Sequence, residues 1–231
     1  MTSTKIRMNG GKTHEVIRAE IISGQWVPGE RIQPAVLAER YGVSTTRIRE
    51  ALTRLAGEGF ATMEPNKGFF APVLSLEELR DQTELRCRAE ELGIELALAR
   101  GDLAWESQLT AIHHQLSRTP RRGPHDPLHV ADDWEGVHQE FHRTLLEPCK
   151  VPALLELSRR LSDSTQLYRR WAAPTTAASE RNVEAEHQAI LDAALARDAK
   201  LAADLLRSHY ERTMDVVLRS GLAETATLPQ V

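Results

Sequence analysis

Leu37 to Leu55, LAERYGVSTTRIREALTRL, is the stretch on which the fold turns. Leu37 and Ala38 lead to Tyr41 at helical spacing, and Gly42 supplies the left-handed residue that ends a helix at little cost. Ser44 can cap a second helix in which Ile48, Ala51, Leu52 and Leu55 recur at three- and four-residue steps. Thr45, Thr46 and Arg47 then point outward at the N-terminal end of that helix. A helix that buries one face and offers hydroxyl and guanidinium groups at its start suits a DNA major groove.

Any helical hairpin has an apolar stripe and a glycine turn, so the flanks carry the decision. Upstream, His14 to Ile22 is amphipathic and ends before Gly24, and Pro28-Gly29 reads as a turn. Downstream, Gly59 breaks the helix and Phe60 to Met63 reads as a short strand. A turn follows at Pro65 to Gly68, and Phe69 to Ala71 returns as a second strand. Three helices and a hairpin make a winged helix. Its wing tip presents Lys67 and the bare backbone of Gly68, which suits a narrow groove.

The run PGERIQPAVLAERYGVSTTRIREALTRLAGEGFATMEPNKGFF (Pro28–Phe70) resembles the DNA-binding domain of GntR-type transcriptional regulators, over about residues 10 to 74. The resemblance implies the turn at Pro28-Gly29, a recognition helix from Ser44 that includes Arg49, and the wing glycine Gly68. The chain departs from the common pattern in two places. Ala35 stands where an Arg is usual in the second helix, and Ser44-Thr45-Thr46-Arg47 replaces a usual Ser-Arg-Thr-Pro. Two customary guanidinium contacts are thus missing and Arg47 is new. A bidentate Arg–guanine pair discriminates by about 1–3 kcal/mol, so the operator is expected to differ from the commonest family consensus.

Composition agrees. The 231 residues suffice for two domains, expected at 1–74 and 75–221 with a flexible tail over 222–231. Net charge is −4, but residues 1–74 hold 10 Lys+Arg against 7 Asp+Glu and residues 75–231 hold 19 against 26. A basic front on an acidic body fits a DNA-binding domain joined to one that avoids DNA. No run of 18 apolar residues is present, and the first residues, MTSTKIRMNGGK, lack the apolar core of a signal peptide. Cys87 and Cys149 are expected as reduced thiols in a cytoplasmic, nucleoid-associated protein without membrane contact.

Beyond residue 74 the pattern is helical. Ser75 to Glu78 has capping-box spacing and opens a long helix to Arg100, with Leu79, Leu85, Leu92, Leu96 and Ala99 expected on its buried side. Further helices are expected over about 103–116, 129–146, 152–171 and 177–197, and from Asp198 to near Gly221. The polar, proline-rich stretch from Arg118 to Pro127 is expected to be a mobile loop. The fold class is therefore mainly α: a winged helix-turn-helix followed by an antiparallel bundle of about six helices.

Nine histidines occur, and their placement matters more than their number. His138 and His142 share a helix face with Trp134, Val137, Phe141 and Leu145; His187 lies in the stripe of Val183, Ile190 and Leu191; His209 lies beside Leu205, Leu206 and Val216. Three helices thus turn imidazoles toward one interior. Any one of them reads most plainly as a hydrogen-bonded core histidine. Four together admit a metal as well, since neutral imidazole is a good ligand for first-row metals. His113 and His114 are expected at solvent or a helix groove, and Trp134, Tyr168 and Trp171 read as core or as pocket lining.

The segments ELRCRAE (Glu84–Glu90), HQEFH (His138–His142), EHQAILDAAL (Glu186–Leu195) and His209 resemble the FCD effector-binding domain of the FadR subfamily, over about residues 75–220. The resemblance implies a helical bundle with a divalent metal held by His138, His142, His187 and His209: zinc, with nickel, manganese or iron as alternatives. The family often has one Asp and three His; here His138 stands at the usual Asp position. Four neutral ligands leave the dication uncompensated and favour a bound anion or water. A small carboxylate effector is expected on the metal, with Arg86 as a further contact.

The expected function is a homodimeric, ligand-responsive repressor on a palindromic double-stranded DNA operator, since two reading heads one helical turn apart gain affinity and specificity. A metal sensor is the first alternative. A metal-dependent hydrolase is the second; it lacks an HExxH-type motif, and Glu140 and Glu186 are expected to flank the histidines on other helix faces.

Overall fold

The computed structural model describes residues 10–73, 75–123, 126–172 and 181–220; the side chains of residues 10–12, 126–129 and 171 lie outside that description. The expected tail over 222–231, a helix start at Ala177 and the side chain of Trp171 therefore fall outside it. The chain divides into two compact units between residues 74 and 75, and each is described by itself.

The first unit begins with α1 (Gly10–Ile22) and β1 (Arg31–Ile32), then α2 (Pro34–Tyr41) and α3 (Thr45–Gly57). Pro34 sits in the first turn of α2, where its missing N–H costs nothing. Gly42 ends α2 at φ 65°, ψ 33°, a conformation that taxes any residue with a Cβ. Ser44 then caps α3 by accepting from the Arg47 N–H. Ile17, Ile21, Leu37, Ile48, Leu52, Leu55 and Phe60 form the buried centre. The wing is β2 (Thr62–Glu64) and β3 (Gly68–Phe70), turned at Asn66, which has φ 63°. The sheet has a strand that the sequence did not disclose. β1 pairs antiparallel with β3, Ile32 opposite Phe69, giving the order β1-β3-β2. Two residues are too few to display alternation, so only the partner reveals the strand.

The second unit has six α-helices among the described residues: α4 (Leu76–Arg100), α5 (Leu103–Arg118), α6 (Asp132–Leu146), α7 (Pro152–Ala172), α8 (Val183–Leu195) and α9 (Ala199–Leu218). Ser75, Asp102, Asn182 and Asp198 cap α4, α5, α8 and α9 through side-chain oxygens. α4 packs along α7 and α9, and α5 along α6 and α8. Their core includes Ile94, Trp105, Leu109, Phe141, Leu145, Ile190, Ala194 and Leu206.

Two expectations need correction. Part of the proline-rich stretch is a hairpin: β4 (Arg122–Gly123) pairs antiparallel with β5 (Asp126–Val130) through a bulge, and α6 starts at Asp132 rather than at His129. An isolated two-stranded hairpin is all edge, where proline is tolerated. The inward face of α4 is also not its leucine stripe. Leu85 and Leu92 are 49% and 51% exposed, whereas Thr83, Arg86 and Glu90 are buried. Arg86 and Glu90 go inside as an ion pair at 2.7 Å. A charge inside is tolerated when it is paired, so apolar periodicity alone misassigns the phase of this helix.

Candidate DNA-reading surface and metal centre

In the first unit, Ser44, Thr45, Thr46, Arg47 and Arg49 are all exposed at the start of α3, while Ile48 between them is fully buried. The helix therefore presents a polar N-terminal face on a fixed apolar base. At the wing, the Lys67 ammonium lies 2.8 Å from Glu64 and stays largely exposed. Gly68 has φ 110°, and a Cβ there would approach the Arg31 guanidinium at 3.7 Å. Ala35 is exposed near the start of α2 and carries no hydrogen-bonding side chain.

In the second unit, α6 carries His138 and His142, α8 carries His187 and α9 carries His209; all four are buried. One ring nitrogen from each falls within 4.8 Å of the others. His138 Nε2 and His142 Nε2 are 3.2 Å apart, close to the edge of a tetrahedron with metal–nitrogen bonds of about 2.0–2.1 Å. Two of the outward Nδ1 atoms are held. His209 Nδ1 lies 2.8 Å from Glu186 Oε2, and His142 Nδ1 lies 3.2 Å from the Tyr210 hydroxyl. His187 Nε2 is buried with no partner. A buried nitrogen without a partner, on a ring that packs against the three other imidazoles, fits a cation better than it fits a satisfied polar core.

The electrostatics keep the cage neutral. Burial pushes His138 down to about 4 and His209 down to about 3, against the opposing pull of Glu135 and Glu186. Burial and the neighbouring imidazoles hold His142 and His187 well below 6.5. Burial alone would raise Glu135, but Arg169 and His138 hold it well below the usual carboxylate range. Glu186 is held down likewise by His209 and Arg181, despite its burial. Neutral imidazoles with lone pairs available, backed by ionised carboxylates, are what metal ligation needs.

Beside the cage lies a cavity of about 50 Å³. One water needs about 10–15 Å³, so the cavity suits a small ligand. Its polar lining includes His138, His209, Tyr210, Arg86, Arg121, Arg169 and Arg181, and its apolar lining includes Leu79, Trp134, Val183 and Val217. Arg86 lies where an effector contact was expected, but much of its hydrogen bonding is taken. Nε donates to Glu90, NH2 donates to the Tyr210 hydroxyl, and the guanidinium stacks 3.9 Å over the Tyr210 ring. The Tyr210 hydroxyl also donates to Glu90 at 2.5 Å, so the ion pair, this tyrosine and His142 form one buried network.

Sequence reasoning missed several of these groups. Glu186 was expected on another face; it bonds His209 and is nearly buried, because α9 packs against α8. Glu135 lies one helical turn before His138, 3.8 Å from its Nδ1, and that spacing could have disclosed it. Arg121, Arg169 and Arg181 come from three separate segments, and no local signal gathers them. Glu140 points away and pairs with Arg143, as expected. His113 is buried against Phe141 rather than at solvent. Tyr168 and Trp134 both line the cavity.

Residues 11–71 match the bacterial regulatory proteins of the gntR family, and residues 81–212, more than half the chain, match the FCD domain. The chain belongs to the GntR family of regulators. It is 33% identical over 210 residues to the HTH-type transcriptional regulator BphR of Paraburkholderia xenovorans, covering 91% of this chain and 85% of that protein. It is 32% identical over 204 residues to the HTH-type transcriptional repressor GlaR of Escherichia coli, covering 87% and 92%. The fold matches the solved structure of E. coli McbR/YncC with a TM-score of 0.72 at 18% identity, covering 91% of this chain and 97% of that one. A GntR regulator from Rhodococcus sp. RHA1 matches with a TM-score of 0.69 at 21% identity, with the same coverage. This GntR protein is thus a DNA-binding transcription regulator with an FCD domain, not an enzyme. No helix among the described residues is long and apolar enough to cross a membrane.

Proposed function

We propose that this GntR regulator is a cytoplasmic, nucleoid-associated repressor that grips a palindromic operator as a homodimer and is released by a small carboxylate bound beside a metal. The observation that carries the reading is the convergence of four buried imidazole nitrogens next to an arginine-lined cavity. His138, His142, His187 and His209 would hold the ion. Zinc fits a four-nitrogen set with a tetrahedral edge; nickel, manganese and iron would accept imidazole as well. A bound dication would offer its charge to a carboxylate, and Arg86 would fix the orientation of that acid. At the DNA, Thr45, Thr46, Arg47 and Arg49 would read bases after the Ser44 cap, and Lys67 with Gly68 would reach the flanking groove. The exposed Leu85 and Leu92, one heptad apart on α4, support the pairing of two copies.

The effector acts by preferring one of two bundle packings, and a preference of a few kcal/mol suffices. The test is fluorescence anisotropy on a fragment from upstream of the protein's own gene, with zinc-loaded and chelator-stripped protein, across a panel of small acids. Acid-dependent release that vanishes on stripping is expected. Stripped protein that still responds fully refutes the metal's role, and failure to bind the fragment at low salt refutes the repressor reading.

A second reading, in which the ion itself is the signal, draws support from the four imidazoles, which can saturate a tetrahedral site without any acid. Zinc titration of DNA affinity in the absence of organic ligand separates the two.

A further inference from the structure

Most cations of the first unit are already engaged. Arg40 pairs with Glu20, Arg54 with Glu58 and Lys67 with Glu64. Arg18 lies over the face of Phe60, 4.3 Å from the ring centre. Arg47 and Arg49 sit exposed on the reading helix α3. Arg31, on β1, is different. It is exposed, it lies outside the reading helix, and its guanidinium makes no ion pair or hydrogen bond among the described residues.

The strand register decides where that guanidinium goes. Ile32 and Phe69 are opposite one another and buried, so their face of the sheet is the inner one. Arg31, opposite Phe70, points to the outer face. From there the side chain runs back along β3 to the wing glycine. NH2 and Nε lie 3.7 and 3.8 Å from where a Cβ on Gly68 would stand. Because β1 is antiparallel to β3, the end of β1 that leads into α2 lies at the same end of the sheet as the wing turn. In a helix-turn-helix the first helix crosses the DNA backbone beside the groove that the second helix enters. The start of α2 is therefore set near phosphate, yet Gln33, Pro34, Ala35 and Val36 bring no cation to it. Lys67 at the wing has its charge matched by Glu64 at 2.8 Å. Arg31 is the unmatched cation between these two places.

We infer that Arg31 grips a backbone phosphate of the operator where the wing meets α2. It adds a contact from the sheet edge to those of α3 and the wing tip, and it reads no base. A guanidinium suits the task, since its planar fork can hold two phosphate oxygens at once. Gly68 contributes by leaving the outer face of β3 bare, so that the arginine can lie along it. The inference rests on the docking of α3 in the major groove proposed above.

Fluorescence anisotropy on the full chain tests it, with the fragment from upstream of its own gene and an unrelated duplex of the same length. Arg31→Gln keeps the length of the side chain and removes the charge. It should weaken both duplexes by the same factor and flatten the slope of log affinity against log salt by about 0.9 for each head bound. The wild-type advantage should accordingly shrink about threefold per head between 50 and 200 mM salt. Arg31→Lys should restore the slope. Unchanged slope with affinity within about twofold of wild type overturns the inference. So does a loss confined to particular base pairs, which would make Arg31 a base reader. A lowered melting temperature that Arg31→Lys does not rescue also overturns it, because Arg31 would then act only by propping the wing. Arg47→Ala reads the docking of α3 separately. If it relaxes base selectivity while Arg31→Gln is silent, only the phosphate contact is lost; if both are silent, the docking falls with it.

Discussion

Glu186→Gln probes whether the groups behind the cage matter to the ion. Glu186 Oε2 sits 2.8 Å from His209 Nδ1 and fixes which ring nitrogen of His209 turns toward the other three. Gln keeps the shape but removes the charge that orients and enriches the imidazole. Losing such a partner typically weakens metal binding about 10–100-fold. At free zinc a thousandfold above the wild-type dissociation constant, the ion stabilises the fold by about 4.1 kcal/mol; a tenfold loss leaves about 2.7 and a hundredfold loss about 1.4. In a chain of this size, 1 kcal/mol moves the melting temperature by about 2–4 °C. The zinc-induced shift should therefore shrink by about 3–11 °C. The assay is a thermal melt with and without zinc, paired with competition against a chromophoric chelator for the affinity itself. A variant that melts like wild type without zinc and binds zinc within about twofold of wild type would refute the reasoning, because Glu186 would then be a plain partner of Arg181.

Glu90→Ala strands the buried Arg86 charge and should cost about 3–5 kcal/mol of stability, read from urea denaturation; Glu90→Gln should cost less. In the metal-free protein, the four cage histidines are held below their unfolded value of 6.5. Their contribution is complete above about pH 6.5 and is lost as pH falls toward the folded values, because the unfolded chain takes up protons first. The melting temperature should thus drop between pH 7 and pH 5 without metal, and zinc should move that drop to lower pH. Arg47→Ala should weaken operator binding by about 1–3 kcal/mol and relax selectivity at one base pair, whereas Lys67→Ala should weaken all sequences alike and flatten the salt dependence. Anisotropy on mutated operators distinguishes these two patterns.

Much of the molecule was legible from local chemistry. Ser44, Gly42 and the Ile48–Leu55 stripe mark the reading helix because caps, left-handed turns and helical periodicity act within a few residues. Ser75 and Asp198 likewise announced their helices, and the four histidines announced themselves because each lay in an apolar stripe. Other features were set only in three dimensions. β1 exists because β3 lies beside it. Leu85 and Leu92 face outward because α4 spends its inner face on the Arg86–Glu90 pair, and the partners that make this tolerable, Ser158 and Tyr210, come from helices far along the chain. Glu186 joined the cage through the way distant segments meet. Helix propensity and burial periodicity are properties of neighbours in sequence; pairing of buried charge is a property of neighbours in space, and only the folded chain decides it.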